Sequence, residues 1–145
     1  MMLRKSRSKD FDEIYKIIKE EYARAPYREK WTYENGIKTL KYYSKWGEIY
    51  VAEIENKIVG FIVMHKEHYN DGEQIHVKEL AVKKAFQGRG IGRALIKKAE
   101  DHCKNKKIKH IYLTTSKDAP AFHFYMNLGY IPDKKAVFFK KEVKV

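Results

Sequence analysis

The chain is 145 residues long and carries 31 Lys and Arg against 19 Asp and Glu, a formal net charge of +12, with one cysteine. That length suits one domain with one substantial core and is too short for two comfortable ones, while a lone Cys103 excludes an internal disulfide and fits a reducing compartment. The longest apolar run, Ile58 to Met64 broken by Gly60, falls far short of a membrane span, and the start, MMLRKSRSKDFDEIY, lacks the apolar region of a secretory leader, so no membrane and a cytoplasmic location are expected.

The first element is a helix. Asp10 and Glu13 have the spacing of a capping box, and Phe11, Ile14, Ile18 and Tyr22 form one stripe to about Arg24, where Pro26 ends it. Thr32 can cap a second, short helix to about Ser44 with Ile37 and Leu40 inward. Ile49–Ile54 and Ile58–His65 read as strands joined at Glu55-Asn56-Lys57, and Asn70-Asp71-Gly72 turns the chain into a strand over residues 74–82. A glycine-rich turn leads into a helix to about Lys106, with Ile91, Leu95, Ala99 and Cys103 on one stripe. A strand over 109–115, a helix over 119–128 and a last strand over 136–141 complete the order. By itself this periodicity predicts one mixed α/β domain.

The turn between strand and helix carries the chemistry. In Glu79–Leu95, ELAVKKAFQGRGIGRAL, Gly88, Gly90 and Gly92 let the backbone turn tightly and approach a ligand without a Cβ in the way. The free amides and dipole of the following helix then face an anion. A dinucleotide fingerprint is excluded, because counting from Gly88 or from Gly90 places Arg93 or Leu95 where a small residue is required. A P-loop is excluded because the chain has no Gly-Lys pair.

Gln87-Gly88-Arg89-Gly90-Ile91-Gly92 resembles the Q/R-x-x-G-x-G/A loop of the GCN5-related N-acetyltransferases, and Ala121 to Tyr130, AFHFYMNLGY, matches that family's A-x-x-x-Y-x-x-x-G-F/Y segment about thirty residues later. The two carriers cover the second half of the chain; the first half matches in element order. The resemblance implies an α/β fold of the acyl-CoA N-acyltransferase type, a central mixed, mainly antiparallel sheet flanked by helices. It implies acetyl-CoA as cosubstrate, its pyrophosphate on the amides of Gln87, Gly88, Arg89, Gly90, Ile91, Gly92 and Arg93. Its pantetheine arm would pair with the backbone of Leu80, Ala81 and Val82. Asp118 stands where many members have an asparagine for that arm; a carboxylate accepts but does not donate, so it does not supply the asparagine's N–H.

The implied reaction is direct transfer of acetyl to a primary amine in a ternary complex. Tyr125, at the family's tyrosine position, would donate a proton to the departing thiolate. An alkylammonium must lose its proton before attack, and the candidates for that base are His76 and Glu79. Three residues apart on a regular strand, these two point to opposite faces unless a bulge intervenes. No metal arrangement is present: His65 and His68 have no third ligand at metal spacing. Cys103 reads as a small buried hydrophobe.

The basic charge permits polyanion binding without showing it, and no RNP1 string, zinc-finger spacing or KH-type loop accompanies it, so specific nucleic-acid recognition is not expected. The expected partners are acetyl-CoA and an amine acceptor, a small amine such as a polyamine or aminoglycoside or a protein amino group, with the chain a monomer or homodimer. The aromatic-rich residues 22–47 are candidates for lining the acceptor pocket. The alternative is a module that binds acetyl-CoA, or nucleic acid through its basic surface, without catalysis.

Overall fold

The computed structural model describes residues 1–145. Its frame is a five-stranded sheet in the order β1-β2-β3-β4-β5: β1 (Met2–Lys5), β2 (Glu48–Ile54), β3 (Lys57–Tyr69), β4 (Gly72–Val82) and β5 (His110–Tyr112). The first four strands pair antiparallel and β5 runs parallel to β4, giving the mixed sheet expected from the resemblance. Helices α1 (Phe11–Tyr22) and α2 (Tyr33–Trp46) cover one face, and α3 (Ile91–Lys106) and α4 (Pro120–Asn127) the other.

The central strand explains the two layers. Along β3, Ile58, Phe61 and Val63 join Ile14, Ile17, Ile18 and Leu40 of α1 and α2, whereas Val59, Ile62 and Met64 join Leu95, Ile96 and Ala99 of α3. A strand buried on both sides needs an almost continuous apolar run, and KIVGFIVM supplies it. Cys103 is buried in the α3 layer, and burial pushes its thiol up, as a small hydrophobe there requires.

Three expectations are corrected, and one strand is added to those expected. The N-terminal residues 2–5 form β1, held against β2 by an ion pair in which Arg4 donates to both Asp10 oxygens at 2.8 and 3.0 Å and to Glu53 at 3.1 Å. The proposed capping box does not form: Asp10 makes no cap hydrogen bond to α1, being taken by Arg4 and the Arg7 N–H, and Glu13 accepts from the Ile58 N–H at 3.0 Å. The strand expected over 109–115 is paired only at 110–112, because beyond that point it diverges from β4. Residues 136–141 form no strand; Val137, Phe138 and Phe139 are 75 to 89% exposed. An apolar run becomes a strand only by pairing with an edge, and here nothing pairs with it. The Thr32 cap of α2 forms as expected, its hydroxyl accepting from the Asn35 N–H at 3.2 Å.

Candidate functional site

The site begins where β4 and β5 part. The two strands are in register from Gln74↔His110 to His76↔Tyr112, after which β4 continues to Val82 without a neighbour on that side. A cavity of about 510 Å³ occupies the opening, within the range of small-molecule sites. Leu80, Ala81 and Val82 form one wall, the turn and start of α3 the second, and Ala121, Phe124 and Tyr125 of α4 the third.

Gly88 (φ 79°) and Gly90 (φ 82°) sit in the left-handed region, where a side chain is strained, and a Cβ at either would meet no atom within 4 Å. The backbone therefore lies bare against the cavity. The first intrahelical bond of α3 runs from the Ala94 N–H to the Gly90 carbonyl, so the amides of Ile91, Gly92 and Arg93 precede it and remain available. Arg93 lines the cavity, while the Arg89 guanidinium turns onto the Phe86 ring, 5.1 Å from its centroid. Asp118 is exposed and lines neither this cavity nor its neighbour, and its N–H is taken by the Ser116 hydroxyl.

The turn is held from behind by a carboxylate. Glu21 of α1, 9% exposed, accepts from the Lys84 N–H at 3.2 Å, from the Gln87 amide at 3.4 Å and from Arg24 at 3.3 Å. Gln87 also donates to the Val82 carbonyl at 2.9 Å, so its amide fastens the turn to β4. Glu21 was not singled out by the sequence, although a signal exists: it lies seven residues after Ile14, a charge placed on the apolar stripe.

A second, smaller cavity of about 190 Å³ meets the first at Tyr22, Tyr27, Leu80, Ala121 and Tyr125, and adds Glu29, Val77, Lys78, Glu79 and residues 113–115. Tyr125 is 9% exposed and its hydroxyl has no hydrogen-bond partner in the protein; burial pushes the phenol up, so it keeps its proton. Glu79 lies between the phenols of Tyr22 and Tyr43, the latter donating at 3.4 Å. Burial raises its carboxyl above the ordinary carboxylate range, with the negative charge of Glu29 adding to the effect. A carboxylate raised in this way is a better proton acceptor near neutral pH.

The register explains why Glu79 is here. Val63 pairs with Glu79 and Met64 with Val77, leaving Lys78 as an extra residue in β4. Ile75 and Val77 face the α3 layer, while Glu79 and Ala81 face α1 and α2. The bulge thus places His76 and Glu79 on one face, against the alternation expected of a regular strand. It does not bring them together. His76 stacks on Tyr112 at 4.3 Å between centroids, and its Nδ1 lies 3.3 Å from Glu67. Glu67 also takes the hydroxyls of Tyr69 and Tyr112, whose hydrogen bonds hold it down at about 2. Burial and Lys78 push the His76 imidazole down. His76 lines neither cavity. No three His, Cys, Asp or Glu side chains are placed to hold a metal ion.

The acetyltransferase (GNAT) family model matches residues 11–130. The chain belongs to that family. This GNAT protein is 33% identical over 133 residues to an uncharacterized N-acetyltransferase, MJ1530, of Methanocaldococcus jannaschii, a match covering 90% of this chain and 78% of that one. Its fold is similar to that of a possible acetyltransferase from Clostridium difficile 630, with a TM-score of 0.84 at 19% identity over 99% and 98% of the two chains. It is also similar to an aminoglycoside acetyltransferase from an uncultured soil metagenomic sample, TM-score 0.77 at 21% identity over 99% and 96%. GNAT N-acetyltransferases use acetyl-CoA as cosubstrate, and the bare glycine turn, free helix amides and unpaired edge of β4 in this GNAT fold suit its pyrophosphate and its amide-bearing arm.

Proposed function

We propose that this GNAT protein acetylates a primary amine by direct attack, with acetyl-CoA in the larger cavity and the acceptor in the smaller one. The observation that carries this reading is the junction of the two cavities at Tyr125, with Glu79 on the acceptor side. Acetyl-CoA supplies an acetyl group activated as a thioester. The amides of Gly88 to Arg93 hold its phosphates, with Gln87 positioning the turn, and the free backbone of Leu80, Ala81 and Val82 receives its arm. Glu79 takes the proton from the acceptor ammonium, directly or through one water. The amine nitrogen then bonds to the acetyl carbon as the carbon–sulfur bond breaks, Tyr125 gives its proton to the departing sulfur, and the second proton shed by the new amide nitrogen restores the phenol, directly or through water. His76, bound to Glu67 and stacked on Tyr112, has no part in the transfer.

The test is Gly90→Asp. It places a carboxylate at the proposed anion site, where a Cβ meets no atom within 4 Å although the φ of 82° strains any side chain. Acetyl-CoA should raise the melting temperature of the wild type by binding the native state and leave that of the variant unmoved, the backbone strain at residue 90 lowering the unliganded melting temperature of the variant without unfolding it. Equal coenzyme A affinities by calorimetry would remove the cradle assignment. Acetyl-CoA binding without thiol release in the presence of any amine would remove catalysis.

A further inference from the structure

The smaller cavity carries more acid than proton transfer needs. Glu79 stands at its inner part beside the unpartnered hydroxyl of Tyr125, which is 9% exposed. Glu29 stands at its open side and is held in place: its N–H donates to the Tyr22 carbonyl at 2.8 Å, and one carboxylate oxygen takes the Trp31 indole N–H at 2.8 Å. The other oxygen of Glu29 has no partner in the protein. Lys78, the cation at this cavity, has its ammonium 3.8 Å from Glu67, so its charge is met there.

Resting on the acetyltransferase reading above, we propose that the acceptor is an unbranched aliphatic diamine, one amino group presented to Glu79 and Tyr125 and the other, as an ammonium, held by Glu29. The shape supports a slim stem. About 190 Å³ is below the roughly 300–1,000 Å³ of sites that enclose drug-sized ligands, a size that suits a methylene chain better than a multi-ring aminocyclitol. The lining also includes Val77, Leu80 and Leu113, suited to methylenes, and the exposed Tyr27, whose ring suits a cation. A local negative site on a chain of net charge +12 also separates the two substrates: the anionic one is drawn to the glycine turn and the cationic one to Glu29 and Glu79.

The experiment compares diaminobutane, butylamine, a lysine-containing peptide and an aminoglycoside as acceptors, read by free thiol release with acetyl-CoA. Diaminobutane should exceed butylamine in kcat/KM about tenfold or more, as expected for a charged hydrogen bond made by the second ammonium. Glu29→Gln should shrink that ratio several-fold, through KM for the diamine, and Glu29→Asp should restore part of it. Equal use of butylamine and diaminobutane by the wild type, a ratio unmoved in Glu29→Gln, or preference for the peptide or the aminoglycoside would each overturn the diamine assignment while leaving amine acetylation standing. No thiol release with any of the four, although acetyl-CoA still raises the melting temperature, would overturn the transferase reading and this inference with it.

Discussion

Glu79→Gln separates the chemistry of the site from its packing. Gln has the same shape and keeps an oxygen toward the Tyr43 hydroxyl, 3.4 Å away, so the cavity between Tyr22 and Tyr43 is preserved. What is lost is the ability to accept a proton. General-base contributions of this kind are typically about 10²- to 10⁴-fold, or about 3–5 kcal/mol of barrier at about 1.4 kcal/mol per factor of ten. The assay is thiol release from acetyl-CoA with a confirmed acceptor across the pH range. In the wild type the base works when deprotonated, so kcat/KM rises with pH through the folded-state value of Glu79, which burial moves above its ordinary 4.5. Glu79→Gln should lower turnover within the stated range and remove that limb, whereas His76→Ala, outside both cavities, should keep it. Stability should change in the opposite sense. A carboxyl raised in the folded state favours the protonated native form, and that contribution is lost as pH rises through the folded value. Gln, neutral at every pH, should therefore raise the melting temperature relative to wild type at alkaline pH, the gap closing below about pH 4.5. Turnover within fivefold of wild type with the acidic limb intact would refute the assignment of Glu79 as the base.

Tyr125→Phe removes a hydroxyl that no protein group binds, so stability and acetyl-CoA affinity should change little while turnover falls by about 10²- to 10⁴-fold; full turnover would make the tyrosine a packing residue. Asp10→Ala leaves the half-buried Arg4 guanidinium with Glu53 alone and the Arg7 N–H without its acceptor, and should cost about 2–3 kcal/mol in urea unfolding at pH 7. Because Arg4 holds the Asp10 carboxyl below its ordinary 3.8, that stability is present above pH 3.8 and lost as pH falls further, so the difference between the two proteins should narrow in acid. Gly36→Ala ordinarily gains helix stability of roughly 0.5–1 kcal/mol, but here its Cβ would lie 2.8 Å from Cε1 of Tyr15 and nearer still to Cδ1. The overpacking between α1 and α2, about 1–3 kcal/mol, should win and lower the melting temperature; a rise would show that the Tyr15 ring moves aside freely.

The glycine turn was legible because its glycines and the helix it opens are consecutive, Gln87 to Gly92, whereas Glu21, which fastens the turn from 66 residues away, was not. The Thr32 cap was legible for the same reason, decided within one helical turn. Where the sequence reading failed, a distant group had a competing claim. Asp10 and Glu13 have the spacing of a capping box, but an arginine six residues before Asp10 and an amide 45 residues after Glu13 satisfy their carboxylates better than helix α1 does. The apolar run at 136–141 has the composition of a strand and no edge to pair with. The face of Glu79 depends on a bulge, which is a property of two strands in register and is written in neither alone. Glu29 shows no periodicity that marks it; it reaches the smaller cavity because the segment after α1 bonds back to Tyr22. Local backbone chemistry can be read along a chain, whereas the side that a residue faces and the partner that claims its charge are settled only when the strands and helices meet.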